Sequence, residues 1–179
     1  MTTEAAEKEI LERAADIRLL VLDVDGVLTD GRLYFTNTGD EIKAFSTLDG
    51  HGIKLLQKAG ITVAIITGRT SAIVDKRAAN LGVVHVIQGC EEKITALDSL
   101  LGKLGLSYDE TAYMGDDWPD LACIRRARLG VTVPGCHSEI AKHAFCITER
   151  PGGMGAVREV CDWILHAQNL YESALESHL

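Results

Sequence analysis

The segment from Leu19 to Asp30 constrains the chain more than any other, because an apolar run ends there in Asp23-Val24-Asp25-Gly26. A short apolar run with β-branched residues, closed by Asp and Gly, predicts a buried central strand whose carboxyl end opens into a loop. In open α/β sheets, ligands bind at that end of the strands. Side chains alternate along an extended chain, so Asp23 and Asp25 are expected on the same side, within reach of one cation and its phosphate. Taken alone, the segment is equally compatible with an acidic turn after a strand.

Strand and helix patterns alternate along the rest of the chain. Strand patterns occupy 17–22, 61–66, 83–87, 111–114, 129–133 and 144–147, and helical patterns occupy 4–15, 52–59, 71–81, 92–104, 118–127, 138–143 and 156–175. Repeated units of this length predict an α/β fold, a doubly wound, Rossmann-like parallel sheet with helices on both faces. We expect one domain over 1–179, with a small β-hairpin insert at 31–47 and a glycine-rich connector and C-terminal helix at 149–179.

Composition excludes several classes of function. The chain has 179 residues and a formal net charge of -8, which disfavours nucleic acid as a partner because phosphate-backbone binding needs a basic face. Its apolar segments fall short of the ~20 residues of a membrane span, and its polar first residues carry no signal-peptide pattern, so we expect no membrane partner and a cytoplasmic location. The five cysteines form no C-x-x-C pair, which argues against a disulfide framework or a zinc site.

Polar groups follow four of the predicted strands, and a parallel sheet would gather them at one edge. They are Asp23 and Asp25, then Thr67, Gly68 and Arg69, then Gly89 with Lys93, and finally Gly115, Asp116 and Asp117 with Asp120. Carboxylate oxygens suit Mg²⁺, a hydroxyl and backbone N–H groups suit phosphate oxygens, and a lysine neutralises a transferring phosphoryl group. An aspartate can act as the nucleophile in such a site and form an aspartyl-phosphate.

These motifs resemble those of the haloacid dehalogenase-like phosphohydrolases. Asp23-x-Asp25-Gly resembles their first motif, Thr67-Gly-Arg their second, Lys93 their third, and Gly-Asp116-Asp-x-x-Asp their acidic fourth. The match spans most of 17–133 in the order of the family. The resemblance therefore implies a Mg²⁺-dependent phosphatase.

The resemblance also implies a role for each motif residue. Asp23 would attack phosphorus, while Asp25 would protonate the leaving alkoxide and then activate water. Mg²⁺ would bind the carboxylates of Asp23 and Asp116 and the main-chain carbonyl of Asp25. Thr67 and Lys93, with backbone amides near Gly68, would hold the phosphoryl oxygens. Asp120 would orient Lys93 or a metal-bound water without touching the phosphoryl group, and Asp117 would act in the same way. For Asp117 a helix N-cap role is nearly as well supported.

Further segments resemble one subgroup, the phosphatases of 3-deoxy-D-manno-octulosonate 8-phosphate in lipopolysaccharide precursor synthesis. These segments are 23–31, the hairpin, 48–53, 64–69 and the tail 152–161. The resemblance implies a small-molecule sugar acid phosphate as substrate, with Asp49 contacting it and Arg69 or Arg158 meeting the sugar carboxylate. It also implies a homotetramer assembled through the hairpins, in which 152–158 closes over a site.

The subgroup pattern is broken at one place, because an arginine commonly precedes its D-G-x-G element where this chain has Leu48. A phosphatase of a nine-carbon, sialic-acid-type sugar phosphate therefore stays open as an alternative. A phospho-receiver signalling domain uses similar residues, but it needs no second acid at Asp25 and carries its nucleophile on a later strand. A metal-binding scaffold without catalysis is the remaining alternative, and the complete motif set argues against it.

Overall fold

The computed structural model describes residues 3–179, and its elements follow the predicted alternation of strand and helix. The strands are β1 (Leu19–Leu22), β2 (Tyr34–Phe35), β3 (Glu41–Ile42), β4 (Thr62–Ile66), β5 (His85–Ile87), β6 (Thr111–Met114), β7 (Leu129–Thr132) and β8 (Cys146–Ile147). The helices are α1 (Thr3–Ala14), α2 (Thr47–Lys58), α3 (Ala72–Leu81), α4 (Lys93–Leu104), α5 (Leu121–Arg126), α6 (Ser138–His143), α7 (Ala156–Ala167) and α8 (Tyr171–Glu176). Within this part of the chain, none of the helices is long and apolar enough to cross a membrane.

Six strands form one parallel sheet in the order β5-β4-β1-β6-β7-β8, and β2 and β3 form the separate antiparallel hairpin. Strand β1 lies between β4 and β6, with Leu22 aligned to Ile65 on one side and to Met114 on the other. This register places the loops after β4, β1 and β6 side by side at one edge of the sheet. The predicted fold class is confirmed.

The core lies on both faces of the sheet, as the alternation of side chains along β1 requires. Leu20 and Leu22 pack with apolar residues of α1, α2, α3 and α7. Leu19 and Val21 pack on the opposite face with residues of α4, α5 and α6. The predicted helices on both faces are therefore present, and the strand that carries the first acidic motif is buried on both sides.

Three predicted helices differ from the structure by more than one residue at an end. Helix α2 begins at Thr47 rather than at residue 52, because the side chain of Ser46 accepts a hydrogen bond from the N–H of Asp49 and caps the helix. The predicted helix 118–127 is a short 3₁₀ turn followed by α5. The predicted C-terminal helix 156–175 is two helices, because the chain between them adopts a left-handed conformation at Asn169, with φ 58°.

Candidate active site

The first acidic motif leaves β1 in a tight turn built around Gly26. The N–H of Asp23 still donates to the carbonyl of Met114 in β6, 3.0 Å away. The chain then enters a wide turn at Val24–Leu28, which the N–H of Thr29 closes by donating to the carbonyl of Val24 at 3.0 Å. Gly26 has φ +87°, and a Cβ at this position would lie 2.1 Å from Oδ2 of Asp116. Glycine is therefore required both for the backbone conformation and for the close approach of the Asp116 carboxylate.

A buried lysine joins two of the motif aspartates. The Nζ atom of Lys93, in the first turn of α4, lies 2.8 Å from Oδ1 of Asp23 and 2.7 Å from Oδ1 of Asp120. All three residues are almost fully buried. Burial works against the charge of Lys93, but the two carboxylates outweigh it and raise the pKa of the ammonium. Lys93 is therefore held as a cation beside Asp23.

The Asp120 carboxylate is fully occupied by protein groups. Its Oδ1 accepts hydrogen bonds from Lys93 Nζ and from the hydroxyl of Tyr113, each at 2.7 Å. Its Oδ2 accepts from the backbone N–H groups of Asp116 at 3.3 Å and Asp117 at 3.5 Å. This set of contacts orients Lys93 and fixes the loop after β6.

The carboxylates of Asp23, Asp116 and Asp120 form an acidic cluster in which one oxygen of each lies within 4.8 Å of the others. Burial, followed by repulsion from Asp120, raises the pKa of Asp23 to about 7 and that of Asp116 to about 6. Oδ1 of Asp23 forms an ion pair with Lys93 that lies outside hydrogen-bond geometry, so among residues 3–179 this buried oxygen has a charged neighbour but no hydrogen-bond donor. Because the oxygens of Asp120 are already bonded, Asp23 and Asp116 are the members with oxygen available to a hard cation.

The second motif begins where β4 ends, next to the loop of Asp23. Thr67 is buried, and its backbone continues the sheet: its N–H donates to the carbonyl of Ile87 at 2.9 Å, and its carbonyl accepts from the N–H of Cys90 at 3.1 Å. Gly68 and Arg69 follow on the surface. Thr67 is thus fixed between the loops that carry Asp23 and Lys93.

The Asp25 carboxylate has different neighbours from that of Asp23. It is half-buried and accepts a hydrogen bond from Nζ of Lys43, in the hairpin segment that follows β3. Lys43 Nζ also lies 3.5 Å from Oε1 of Glu41, and the same oxygen accepts from the guanidinium of Arg69 at 2.6 Å. An alternating chain of charges therefore connects Arg69 to Asp25 through the hairpin.

Asp49 has a structural position that the sequence did not indicate. It is buried in α2, where its Oδ1 accepts from the N–H of Arg158 at 2.8 Å and its Oδ2 accepts from the N–H of Gly155 at 3.3 Å. These are N–H groups of the first turn of α7, so Asp49 caps a helix other than its own. Both oxygens are used in this cap, and the contact with substrate expected for Asp49 stays a prediction.

Arg158 and the glycine-rich connector make contacts within the single chain that the sequence did not predict. The guanidinium of Arg158 pairs with Asp162 one helical turn further along α7, at 2.8 Å, and does not join the Asp23 cluster. The connector packs on its own catalytic loop, with the N–H of Gly153 donating to the carbonyl of Val27 at 2.9 Å. A Cβ at Gly152 would lie 1.8 Å from the carbonyl oxygen of Gly26, so the two backbones are in direct contact.

Asp117 is exposed and caps the 3₁₀ turn that follows it, with Oδ1 accepting from the N–H of Trp118 at 2.8 Å. This is the N-cap role that the sequence left open for it. Its neighbour Asp116 carries the carboxylate of the acidic cluster.

Several proteins similar to this chain carry the same name. The chain is 45% identical over 165 residues to 3-deoxy-D-manno-octulosonate 8-phosphate phosphatase KdsC of Salmonella typhi, a match that covers 92% of this chain and 88% of that protein. It is 44% identical over 166 residues to KdsC of Escherichia coli K12, covering 93% and 88% of the two chains. The chain belongs to the KdsC phosphatase family. No family model matches it.

Solved KdsC structures have the same fold. The phosphatase of Moraxella catarrhalis, solved in complex with a magnesium ion, a phosphate ion and KDO, superposes with a TM-score of 0.94 at 45% identity, over 96% of this chain and 99% of that one. The cobalt-bound KdsC-family phosphatase of Haemophilus influenzae superposes with a TM-score of 0.84 at 38% identity, over 88% and 92% of the two chains. Membership of the haloacid dehalogenase-like superfamily, predicted from the motifs, is thereby confirmed.

Sequence reasoning did not single out Lys43 and Glu41, which pair with Asp25 and Arg69 respectively. A signal was available, because positions 41 and 43 are two apart in a strand pattern and so face the same side of the hairpin. Tyr113 was also missed. It lies inside β6 and looks like an ordinary core residue in the sequence, yet its hydroxyl contacts Asp120.

Proposed function

We propose that this protein is a Mg²⁺-dependent phosphatase that hydrolyses 3-deoxy-D-manno-octulosonate 8-phosphate to the free sugar acid and phosphate, as a step of lipopolysaccharide precursor synthesis. The observation that carries the proposal is the buried Asp23–Lys93–Asp120 arrangement beside Asp116, at the carboxyl edge of a sheet with the KdsC fold. In this proposal the hairpin and the connector belong to one phosphatase domain. A cytoplasmic location stays a prediction.

The donor set fits Mg²⁺. Asp23 and Asp116 would supply carboxylate oxygens and Asp25 its main-chain carbonyl, all hard ligands of the kind this ion prefers. The raised pKa values of both carboxyls reflect crowded, buried negative charge, which a divalent cation between them would relieve. When bound, Mg²⁺ would neutralise charge on the phosphoryl group.

The reaction proceeds in two steps. A carboxylate oxygen of Asp23 attacks phosphorus in line, and the bond from phosphorus to the sugar oxygen breaks as Asp25 gives that oxygen a proton. Asp25, now a carboxylate, takes a proton from water, and the resulting hydroxide attacks the phosphorus of the aspartyl-phosphate. Phosphate leaves and Asp23 is regenerated, so Asp25 has served first as acid and then as base.

Lys93 and Thr67 are proposed to hold the phosphoryl oxygens. The ammonium of Lys93 is already oriented by Asp120 and does not need to reorganise when negative charge develops on the phosphoryl group. The hydroxyl of Thr67 and backbone N–H groups near Gly68 would supply further hydrogen bonds. An open cleft of about 420 Å³ adjoins Asp116, with Gly26, Asp30 and Met154 among its lining residues, and offers room for the sugar.

Arg69 is the proposed contact for the sugar carboxylate. It is exposed at the edge of the site, and it already holds a carboxylate, that of Glu41, in a 2.6 Å ion pair. A guanidinium fork suits carboxylate recognition. Arg158 would reach substrate only by leaving Asp162.

A homotetramer assembled through the hairpins is also proposed. The hairpin exposes a cluster of large apolar side chains, which a single chain leaves in water. The cluster consists of Leu33, Tyr34, Phe35 and Ile42. Sedimentation of the active enzyme tests the proposal, and a fully active monomer would refute it.

Phosphate release from purified wild-type protein, Asp23→Asn and Asp25→Asn tests the proposed chemistry. With Mg²⁺ present, Asp23→Asn should release no phosphate because the nucleophile is gone. Asp25→Asn should trap the phospho-enzyme or greatly slow its formation and turnover, because the acid and base is gone. Lys103→Met, an exposed change at the far end of α4, is the matched control. Full activity of Asp23→Asn would refute the nucleophile, and stable phosphorylation of wild-type Asp23 without turnover would support a signalling domain instead.

The substrate is tested by comparing kcat/KM for 3-deoxy-D-manno-octulosonate 8-phosphate with kcat/KM for a nine-carbon, sialic-acid-type sugar phosphate, with and without Mg²⁺. We expect the eight-carbon substrate to be preferred. The opposite preference would assign the chain to the nine-carbon reaction.

A further inference from the structure

Lys43 is an unusual residue for a surface hairpin. Apolar neighbours in the hairpin, among them Phe35 and Ile42, are exposed, whereas the side chain of Lys43 is only 2% exposed. Its ammonium is directed at two carboxylates, those of Asp25 and Glu41. The hairpin therefore leaves apolar groups in water and buries a cation, the reverse of the usual distribution.

The Asp25 carboxylate depends on this lysine for its orientation. Within residues 3–179, Lys43 is the one group that donates a hydrogen bond to it. Asp25 stands in the wide turn after β1 with extended backbone angles, and its side chain is 23% exposed, so the turn alone does not fix the direction of its oxygens. The bond from Lys43 to Oδ1 leaves Oδ2 as the oxygen free to meet the substrate.

We propose that Lys43 is a positioning residue of the phosphatase reaction, holding Oδ1 of Asp25 so that Oδ2 is aligned with the oxygen of the leaving group. The inference rests on the proposed function, because it takes Asp25 as the acid of the first step. In that step the bond between Asp23 and phosphorus forms, the bond from phosphorus to the sugar oxygen breaks, and the proton on Oδ2 of Asp25 passes to the sugar oxygen. The hairpin thus acts on the chemistry of its own chain.

Glu41 supports Lys43 but is not equivalent to it. Glu41 lies between Lys43 and Arg69 and pairs more closely with Arg69, at 2.6 Å against 3.5 Å. Replacing Glu41 by Gln would loosen Arg69 while leaving the bond from Lys43 to Asp25 in place. Glu41→Gln therefore separates a general loosening of the hairpin from the loss of Asp25 alignment.

The test compares two leaving groups. The sugar alkoxide of 3-deoxy-D-manno-octulosonate 8-phosphate needs a proton as it departs, whereas the phenolate of p-nitrophenyl phosphate leaves without one. For each enzyme the ratio of kcat/KM on the two substrates is measured, since kcat/KM reports the steps up to departure of the leaving group. Both substrates form the same aspartyl-phosphate and share every later step. The ratio therefore needs no correction for those steps.

Misalignment of a proton donor lowers the rate of the step that it assists roughly 10- to 100-fold. Lys43→Met should therefore lower the ratio of kcat/KM for the sugar phosphate to kcat/KM for p-nitrophenyl phosphate by about that factor. The loss should lie in kcat for the sugar phosphate with KM little changed. Lys43→Arg, which keeps a charged donor, should recover most of the ratio. Glu41→Gln should raise KM for the sugar phosphate through Arg69 and leave kcat for the sugar phosphate unchanged, and Lys103→Met should match wild type.

Asp25→Asn distinguishes failure of this inference from failure of the proposed function. If Asp25→Asn lowers the ratio and Lys43→Met does not, the positioning role is refuted and the proposed function stands. If Asp25→Asn leaves the ratio unchanged, the acid assignment itself fails. If Lys43 acts through Asp25, adding Lys43→Met to Asp25→Asn should cause no further fall in the ratio. Should Lys43→Met fail to fold, Lys43→Gln, whose amide nitrogen stops one bond short of the Nζ position, is expected to give the same fall.

Discussion

Replacement of Asp49 by alanine separates the role that the structure gives this residue from the one that the sequence suggested. Asp49 is 1% exposed, and its carboxylate accepts from the N–H of Arg158 at 2.8 Å and from the N–H of Gly155 at 3.3 Å. Asp49→Ala leaves these two N–H groups at the start of α7 without a partner. We therefore expect a loss of stability and no change in substrate affinity.

The size of the loss follows from these contacts. A hydrogen bond to a charged group contributes about 1.5–3 kcal/mol, and removal of an N-cap costs about 0.5–2 kcal/mol. Burial raises the pKa of Asp49, which means that part of this gain is offset by the cost of burying its charge. We expect a net loss of roughly 2–3 kcal/mol for Asp49→Ala and roughly 1 kcal/mol for Asp49→Asn, which keeps one acceptor oxygen.

Thermal unfolding followed by circular dichroism measures the loss. For a chain of this length, 1 kcal/mol lowers Tm by roughly 2–4 °C, so Asp49→Ala should melt roughly 4–12 °C below wild type. KM for the sugar phosphate, measured well below the melting temperature, should equal that of wild type. A variant with wild-type Tm and a KM raised ten-fold or more would return Asp49 to the substrate site and refute the capping argument.

Two further perturbations act on the acidic cluster and its loop. Because the pKa of Asp23 is raised to about 7 and that of Asp116 to about 6, these two carboxyls bind more protons in the folded protein than in the unfolded chain between about pH 4 and 7. Their contribution to the stability of the metal-free protein should therefore fall as pH rises through that window. Because protons compete with the metal for these carboxylates, Mg²⁺ should raise Tm more at about pH 8 than at about pH 5. Fluorimetric melts with Mg²⁺ and with EDTA measure the two shifts, and equal shifts would contradict the assignment of Asp23 and Asp116 as metal ligands. Gly152→Ala would place a Cβ 1.8 Å from the Gly26 carbonyl oxygen and should displace the loop that carries Asp25. We expect kcat to fall roughly ten-fold or more in a protein that circular dichroism shows to be folded. A wild-type kcat would contradict the contact.

The fold and most of the site chemistry were predictable because their signals are local. The alternation of strand and helix patterns gave the sheet, and the predicted helix 71–81 lies within a residue of α3, which Ser71 caps and Gly82 ends. The ends of β1, β4 and β6 carry the predicted polar groups, and the sheet places them side by side.

Element boundaries failed where a local signal was ambiguous. The helical pattern was placed at 52–59, but the cap from Ser46 and the packing of α2 against α7 extend the helix back to Thr47. The helical pattern of 156–175 runs through Asn169, where the chain turns into a left-handed conformation and begins a second helix. Periodicity alone does not report such a break, because the apolar positions on both sides of it remain compatible with one helix.

The sequence by itself determined the fold class, the family and the residue types at the ends of the strands, because periodicity and short motifs are properties of neighbouring positions. The tertiary structure decided which side chains meet. It brought Lys43 to Asp25 across 18 positions and the N–H of Arg158 to Asp49 across 109. The first contact places a hairpin lysine against an acid of the first motif, and the second caps helix α7. Contacts of this kind depend on how separate elements pack around a shared core, and no local pattern in the chain records them.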